Sequence, residues 1–393
     1  MTVLDDRALN RAALARQALL EPSDRSALDL VTHLCGLQAQ EPQEPFVGLW
    51  TRLRDFKAST LSDLLTERRV VRVHLMRRTV HLMTAEDVLA WRSRFGAMLR
   101  QKVAAVYRQD LDGVDLSELE AAGRAVLADG EPRTMAELVD AVIDRWPGRQ
   151  RRALGEMLIA ALIPVVQTPP RGLWRAKGGV RVALLSDWTG REPAPHEPDD
   201  SEGADGAAGS GGSGGFSGSG GSGGIRGTGG TDPVGRELVR RYLAAYGPAT
   251  SSDLRAWCGV AGLPAAVAAV RDELVSFRDT NGRELLDLPG APLPDPGTPA
   301  PVRFLPAFDN AVLGYQHRGR IVDDEHRGLS VAGERVVLVD GRVTATWTSR
   351  DDTVSVAPLR PLTGAERDAV VERGEELAGF LSDGESRRVR VDG

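Results

Sequence analysis

A glycine- and serine-rich tract divides this chain and limits what the rest can fold into. The segment from Glu192 to Thr231 begins rich in proline and acidic residues and is nearly pure glycine and serine between Gly206 and Gly230. Such a composition cannot bury enough apolar surface to offset the entropy lost on ordering, so we predict a disordered insertion over residues 191–232 that carries no chemistry. The two flanking parts belong to a 393-residue chain that is 41% apolar, which is enough to build several cores.

The part before the tract begins with helices and continues into paired β-rich runs. Apolar spacing and start signals predict three helices, over 9–20, from Ser26 onward and over 60–67. Two β-rich runs follow, over 70–75 and 79–83, joined by Met76-Arg77-Arg78. Helices followed by a β-hairpin indicate a winged helix, which we assign to residues 1–110.

The same order recurs twice. A second unit, residues 111–190, has predicted helices over 135–145 and 152–162 and strands over 164–168, 172–176 and 181–184. A third unit, residues 233–290, has a helix start at Thr250, a helix over 264–275 and a hairpin over 277–288. Residues 291–393 alternate short strands with turns before a helix over 364–381. We therefore predict an α+β protein with three tandem winged-helix units followed by a small C-terminal β-barrel or sheet domain.

Charge and composition narrow the class of protein. The net charge of −6 argues against nucleic-acid binding through bulk electrostatics and leaves room for a local basic face. The longest apolar stretch is too short to span a bilayer and the N-terminus lacks the pattern of a signal peptide, so we expect a cytoplasmic protein without membrane contact. The six histidines and two cysteines are dispersed, and we expect no metal and no cofactor.

Two short motifs are candidates for function. In Leu37-Gln38-Ala39-Gln40 the alternation places Gln38 and Gln40 on one side of an extended segment, where both amides could meet one ligand. The alternative is that two polar residues simply decorate a loop. Phe308-Asp309-Asn310 and His317-Arg318-Gly319-Arg320 form the second motif, for which a structural turn and an ordinary solvated basic face are the alternatives.

These motifs, together with two others, resemble a known family. The residues concerned are Leu9-Asn10-Arg11, Gly36-Leu37-Gln38-Ala39-Gln40, Arg77-Arg78-Thr79-Val80-His81-Leu82, Phe308-Asp309-Asn310 and His317-Arg318-Gly319-Arg320. In this combination they are similar to the AlkZ-like winged-helix DNA glycosylases of the AlkZ/YcaQ superfamily, over nearly the whole chain apart from the insertion. The resemblance implies that the Gln-x-Gln pair is catalytic, whereas a sister branch carries Gln-x-Asp.

The resemblance also implies the substrate. Members of the Gln-x-Gln branch remove N7- or N3-alkylated purines from double-stranded DNA and can release bulky or crosslinked adducts made by antibiotics. Candidate contacts to the DNA backbone are the basic residues of the motifs over 77–82 and 317–320, with ordinary surface charge as the alternative: Arg77, Arg78, His81, His317, Arg318 and Arg320.

Two other functions remain open at the level of sequence. A winged-helix transcriptional regulator would bind undamaged DNA through recognition helices, although three different units without an evident dimerisation helix fit that role poorly. A lesion-binding protein without catalysis would hold alkylated DNA and leave the glycosidic bond intact.

Overall fold

The computed structural model describes residues 1–195 and 232–392, so most of the predicted insertion lies outside the described residues. The first part of the chain contains six α-helices and four strands: β1 (Val3–Leu4), α1 (Asp6–Arg16), α2 (Ala27–His33), β2 (Leu37–Gln38), α3 (Glu44–Trp50), α4 (Ala58–Thr66), β3 (Val70–His74), β4 (Val80–Thr84), α5 (Ala85–Trp91) and α6 (Gly96–Val106). The predicted helices and hairpin are present. Asp5 and Ser26 cap α1 and α2 by accepting hydrogen bonds from backbone N–H groups of the first turn.

The next part joins the first in a common sheet. It contains α7 (Leu116–Leu127), α8 (Met135–Val142), α9 (Arg151–Met157) with a π-helical continuation (Leu158–Leu162), β5 (Val165–Gln167), β6 (Val182–Leu184) and α10 (Leu185–Thr189). The strand order is β2-β4-β3-β5-β6, and Arg72 in β3 is paired with Gln167 in β5. The hairpins of the first two predicted units therefore belong to one five-stranded sheet.

One predicted strand of this part is wrong. Residues 172–176 form turns, with φ +97° at Gly172 and +53° at Arg175. Pro169 and Pro170 precede them and supply no N–H donors for a ladder. Positive φ angles and missing donors are incompatible with a strand at this point.

The third part packs on the N-terminus. It contains α11 (Pro233–Tyr246), α12 (Ser251–Cys258), α13 (Leu263–Ala269), β7 (Val275–Asp279) and β8 (Glu284–Asp287). β1 pairs in parallel with β7 and completes a three-stranded sheet. Buried residues of all three predicted units, such as Leu75, Leu154 and Tyr242, belong to one hydrophobic cluster, so these units share a core.

The C-terminal part is a sheet covered by a helix. It contains β9 (Arg303–Leu305), α14 (Asn310–Leu313), α15 (Arg327–Ala332), β10 (Val336–Val339), β11 (Arg342–Arg350), β12 (Thr353–Pro358), α16 (Gly364–Leu381) and β13 (Arg388–Val391). The strand order is β13-β12-β11-β10-β9, and the two end strands do not pair with each other among the described residues. Val370, Leu377 and Ala378 of α16 pack on this sheet and bury its face. No described helix is both long and apolar enough for a membrane span.

Candidate active site

The Gln-x-Gln segment lies at the edge of the five-stranded sheet. β2 pairs antiparallel with β4, so that Gln38 is opposite His81, and the Ala39 N–H donates to the Val80 carbonyl at 2.8 Å. Gly36 enters the strand with φ +92°, and a Cβ there would lie 2.6 Å from Met83 Cγ. Only glycine fits this entry, which fixes where β2 begins.

The two glutamine side chains have different surroundings. Gln38 is 8% exposed, and its Oε1 accepts a hydrogen bond from Arg77 Nη2 at 2.8 Å. Gln40 is exposed, and its Oε1 accepts from the Val80 backbone N–H at 3.3 Å, the long end of the normal range. Gln38 is therefore held by a charged donor, whereas Gln40 is held weakly and faces solvent.

Two further side chains hold the backbone of the segment. Asn310 Nδ2 donates to the Gly36 carbonyl at 2.6 Å, and Arg72 Nη2 donates to the Ala39 carbonyl at 3.0 Å. Arg72 is 1% exposed, its Nε and Nη1 have no hydrogen-bond partner in the described structure, and burial lowers its pKa to about 10. Anchors on both sides of Gln38 leave the segment little freedom, as expected of a preorganised site.

Arg77 connects Gln38 to α12. It occupies the turn between β3 and β4 with φ +56°, and its Nη1 donates to the Trp257 carbonyl near the end of α12. Burial lowers the pKa of the Arg77 guanidinium. One side chain thus bridges the sheet edge and the third helical part.

The Phe308-Asp309-Asn310 motif has a structural role. Asp309 accepts two hydrogen bonds from Arg52, at 2.7 and 2.9 Å, and both side chains are almost fully buried. Asp309 also caps α14 by accepting from the Ala311 N–H. This buried pair places Asn310 where it reaches Gly36, so the motif acts on the Gln-x-Gln segment from 274 residues away in sequence.

The candidate DNA contacts separate into two groups. Arg78 is partly exposed at 3.5 Å from Glu156, His317 is exposed, and Arg318 is half-buried. His81 is 1% exposed, its Nδ1 lies 3.0 Å from the Thr79 carbonyl, and burial lowers its pKa to about 3. Arg320 is 5% exposed and donates to the Pro248 carbonyl at 3.0 Å. His81 and Arg320 are therefore buried and already hydrogen-bonded within the protein, which makes Arg78, His317 and Arg318 the stronger candidates for contacts to DNA.

A surface cleft adjoins the site. Arg77 lines a space of about 960 Å³ between α6 and α12 together with residues that sequence analysis did not single out, among them Lys102 and Arg255. Nothing in the local pattern marks these two side chains, since they become neighbours of Arg77 only through packing. The described residues contain no group of histidine, cysteine and carboxylate side chains that could hold a metal ion.

Comparisons with known proteins agree with this architecture. No curated protein sequence matches the chain. The structure is similar to that of Streptomyces sahachiroi DNA glycosylase AlkZ, with a TM-score of 0.75 and 20% identity over 100% of both chains. The family model described as DNA glycosylase AlkZ-like matches residues 31–380. The chain therefore belongs to the AlkZ-like DNA glycosylase family.

Proposed function

We propose that the protein is a monofunctional DNA glycosylase that hydrolyses the N-glycosidic bond of cationic alkylated purines, with Gln38 and Gln40 as catalytic residues. The substrates would be N7-alkylguanine and N3-alkyladenine, including bulky and interstrand-crosslinked adducts. The observation that carries the proposal is the different restraint of two neighbouring amides, one fixed by Arg77 and one facing solvent.

The chemistry requires little from the protein when the base is already positive. Ordinary glycoside hydrolysis uses one carboxylic acid to protonate the leaving group and a second carboxylate as base or nucleophile. Alkylation at N7 or N3 supplies the positive charge in advance, so the base departs without an acid. The remaining task is to stabilise a sugar with oxocarbenium character and to place a water molecule beside it, which neutral amide oxygens can do.

The contacts suggest a division of roles. Gln40 is exposed and weakly held, so its amide can turn to orient the attacking water. Gln38 keeps its carbonyl oxygen on Arg77 and presents its NH₂ group as a donor, which suits a supporting role toward a phosphate or the neighbouring amide.

Several finer features of the proposal rest on the sequence pattern. We assign winged-helix units to residues 1–110, 111–190 and 233–290, and a C-terminal domain built on an open β-sheet with a covering helix to residues 291–393. The open cleft beside Arg77 supports bulky substrates, because a crosslinked base is tethered to the opposite strand and cannot swing into a deep pocket. A monomer acting on the nucleoid, in repair or in resistance to a DNA-alkylating antibiotic, fits this substrate class.

The direct test is release of free base from duplex DNA that carries one N7-methylguanine. Wild type should leave an abasic site, and Gln38→Ala or Gln40→Ala should lower the single-turnover rate at least tenfold, about 1.4 kcal/mol of barrier. Gln43→Ala is the matched control, since the Gln43 side chain hydrogen-bonds to backbone groups of Leu173 and Arg175, and this variant should leave the rate within about twofold.

The other functions predict different results. Tight binding of alkylated DNA without base release would indicate a lesion-binding protein. A footprint on undamaged palindromic DNA with no base release would indicate a regulator. Either result would refute catalysis by the glutamine pair.

A further inference from the structure

The cleft between α6 and α12, here called the α6–α12 cleft, has an unusual charge for this protein. Its lining is contributed by both helices, the β3–β4 turn and the loop after α14: Arg77, Met98, Gln101, Lys102, Ala105, Ser252, Arg255, Ala256, Gly259 and Gln316. Three of these side chains are cationic and none is acidic, although the chain as a whole carries a net charge of −6. Local positive charge in an acidic protein marks a surface suited to an anion.

The cations at the rim are not neutralised by the described protein. Lys102 and Arg255 are exposed, and neither forms an ion pair or a side-chain hydrogen bond with a described residue. Some arginines elsewhere at the surface are paired, as the partly exposed Arg240 is with Glu273 at 2.6 Å. The cleft therefore keeps its positive potential, together with neutral donors on Gln101, Ser252 and Gln316.

The walls of the cleft are fixed. A capping box between Thr250 and Asp253 starts α12, and Asp253 Oδ1 also accepts the Gln316 N–H at 2.9 Å. Gly259, at the other end of α12, packs against the backbone of Arg77, where an added Cβ would lie 3.6 Å from Arg77 Cα. A ligand in the cleft would thus meet a preformed surface that Arg77 connects directly to Gln38.

We propose that the α6–α12 cleft binds the phosphodiester backbone of DNA beside the lesion, with Lys102 and Arg255 contacting phosphates. The inference rests on the proposed function of the glutamine pair, because Arg77 places Gln38 next to the cleft. Its partner is recognised by charge and not by sequence, so these contacts position the duplex and do not read bases.

The test measures binding of a fluorescent undamaged duplex by anisotropy at salt concentrations from about 0.05 M to about 1 M, because release of counterions from DNA makes the affinity fall as salt rises. Lys102→Ala/Arg255→Ala should lower the slope of log K against log salt by about 1.8, which makes binding roughly 60-fold weaker at 0.1 M salt and nearly equal to wild type at 1 M. Lys102→Arg/Arg255→Lys keeps both charges and should retain most of the slope. Lys57→Ala/Arg387→Ala, which removes two exposed cations from segments outside the cleft, should change the slope by much less.

A second readout separates this proposal from the proposed function. Base release from the N7-methylguanine duplex is followed with the same proteins. If wild type releases base and the Lys102→Ala/Arg255→Ala variant keeps the wild-type slope, the cleft assignment is overturned and the glycosylase proposal stands. If the slope falls as expected and wild type releases no base, the cleft assignment is supported and the substrate proposal fails.

Discussion

Arg77→Ala tests whether the site works through a restrained Gln38. The hydrogen bond from Arg77 Nη2 to Gln38 Oε1 is 2.8 Å long, and the donor is charged and largely buried. Hydrogen bonds to charged groups contribute about 1.5–3 kcal/mol. If the whole of that energy holds Gln38 in its productive orientation, the single-turnover rate should fall by roughly 10- to 150-fold at saturating enzyme.

A double-mutant cycle with Gln38→Ala separates positioning from other roles of Arg77. Once Gln38 has lost its amide, removing Arg77 should cost less than about twofold more, so the coupling energy should equal nearly the full single-mutant effect. Arg77→Lys keeps the charge but lacks the fork that reaches Gln38 and the Trp257 carbonyl together, and it should recover only part of the rate.

Two controls accompany the cycle. Arg78→Ala alters the neighbouring residue, which is 3.5 Å from Glu156 and does not contact Gln38, and its rate at saturation should stay within about threefold of wild type. Unfolding by urea is followed for every variant, because Arg77 also connects the β3–β4 turn to α12. Additive effects of Arg77→Ala and Gln38→Ala in folded proteins would refute the positioning role.

Three more predictions follow from the same contacts. Asn310→Ala leaves the Gly36 carbonyl without its buried donor, so the free energy of unfolding in urea should fall by about 1–3 kcal/mol. Base release should slow as well, and an unchanged rate would mean that this hydrogen bond does not act on the site. Burial lowers the pKa of His81 to about 3 from its ordinary 6.5, so as the pH falls through 6.5 the unfolded chain binds a proton that the folded chain does not. His81 alone should therefore cost about 2 kcal/mol of stability between about pH 8 and pH 5, and urea unfolding of His81→Gln should lack this part of the acid sensitivity. Gln40→Asp introduces a stronger base facing solvent and should raise the release of uncharged modified purines relative to N7-methylguanine, and an unchanged ratio of the two rates would contradict water activation by Gln40.

Local signals in the sequence were sufficient for most individual elements. The predicted helix over 364–381 coincides with α16, because Thr363 and Glu366 form a capping box at its start. The hairpin of β3 and β4 was likewise evident from two β-rich runs. Both features depend on residues within a few positions of each other, which is the range that propensity and capping describe.

Long-range packing could not be predicted in the same way. His81 alternates with Val80 and Leu82 as a solvent-facing strand residue would, but both faces of this sheet are covered, one by the cluster of Val73 and Met83 and the other by that of Val80 and Leu82. Alternation predicts which residues share a face and does not show whether that face is buried. The contact from Asn310 to Gly36 spans 274 residues, and no periodic pattern encodes it.

The surroundings of the glutamine pair also bear on why intact DNA would be spared. In the described structure no carboxylate forms a hydrogen bond with Gln38 or Gln40; Gln38 accepts from the guanidinium of Arg77, and its cross-strand neighbour His81 is a buried, neutral imidazole. Neither can protonate a leaving base near neutral pH, because an arginine holds its proton too tightly and His81 carries none to spare. An uncharged purine would have to depart as an anion, whereas a cationic alkylated purine departs as a neutral molecule. A site that orients water but supplies no general acid would therefore select bases by the positive charge that alkylation places on them. Its selectivity would result from the lack of a general acid as much as from its contacts with the base.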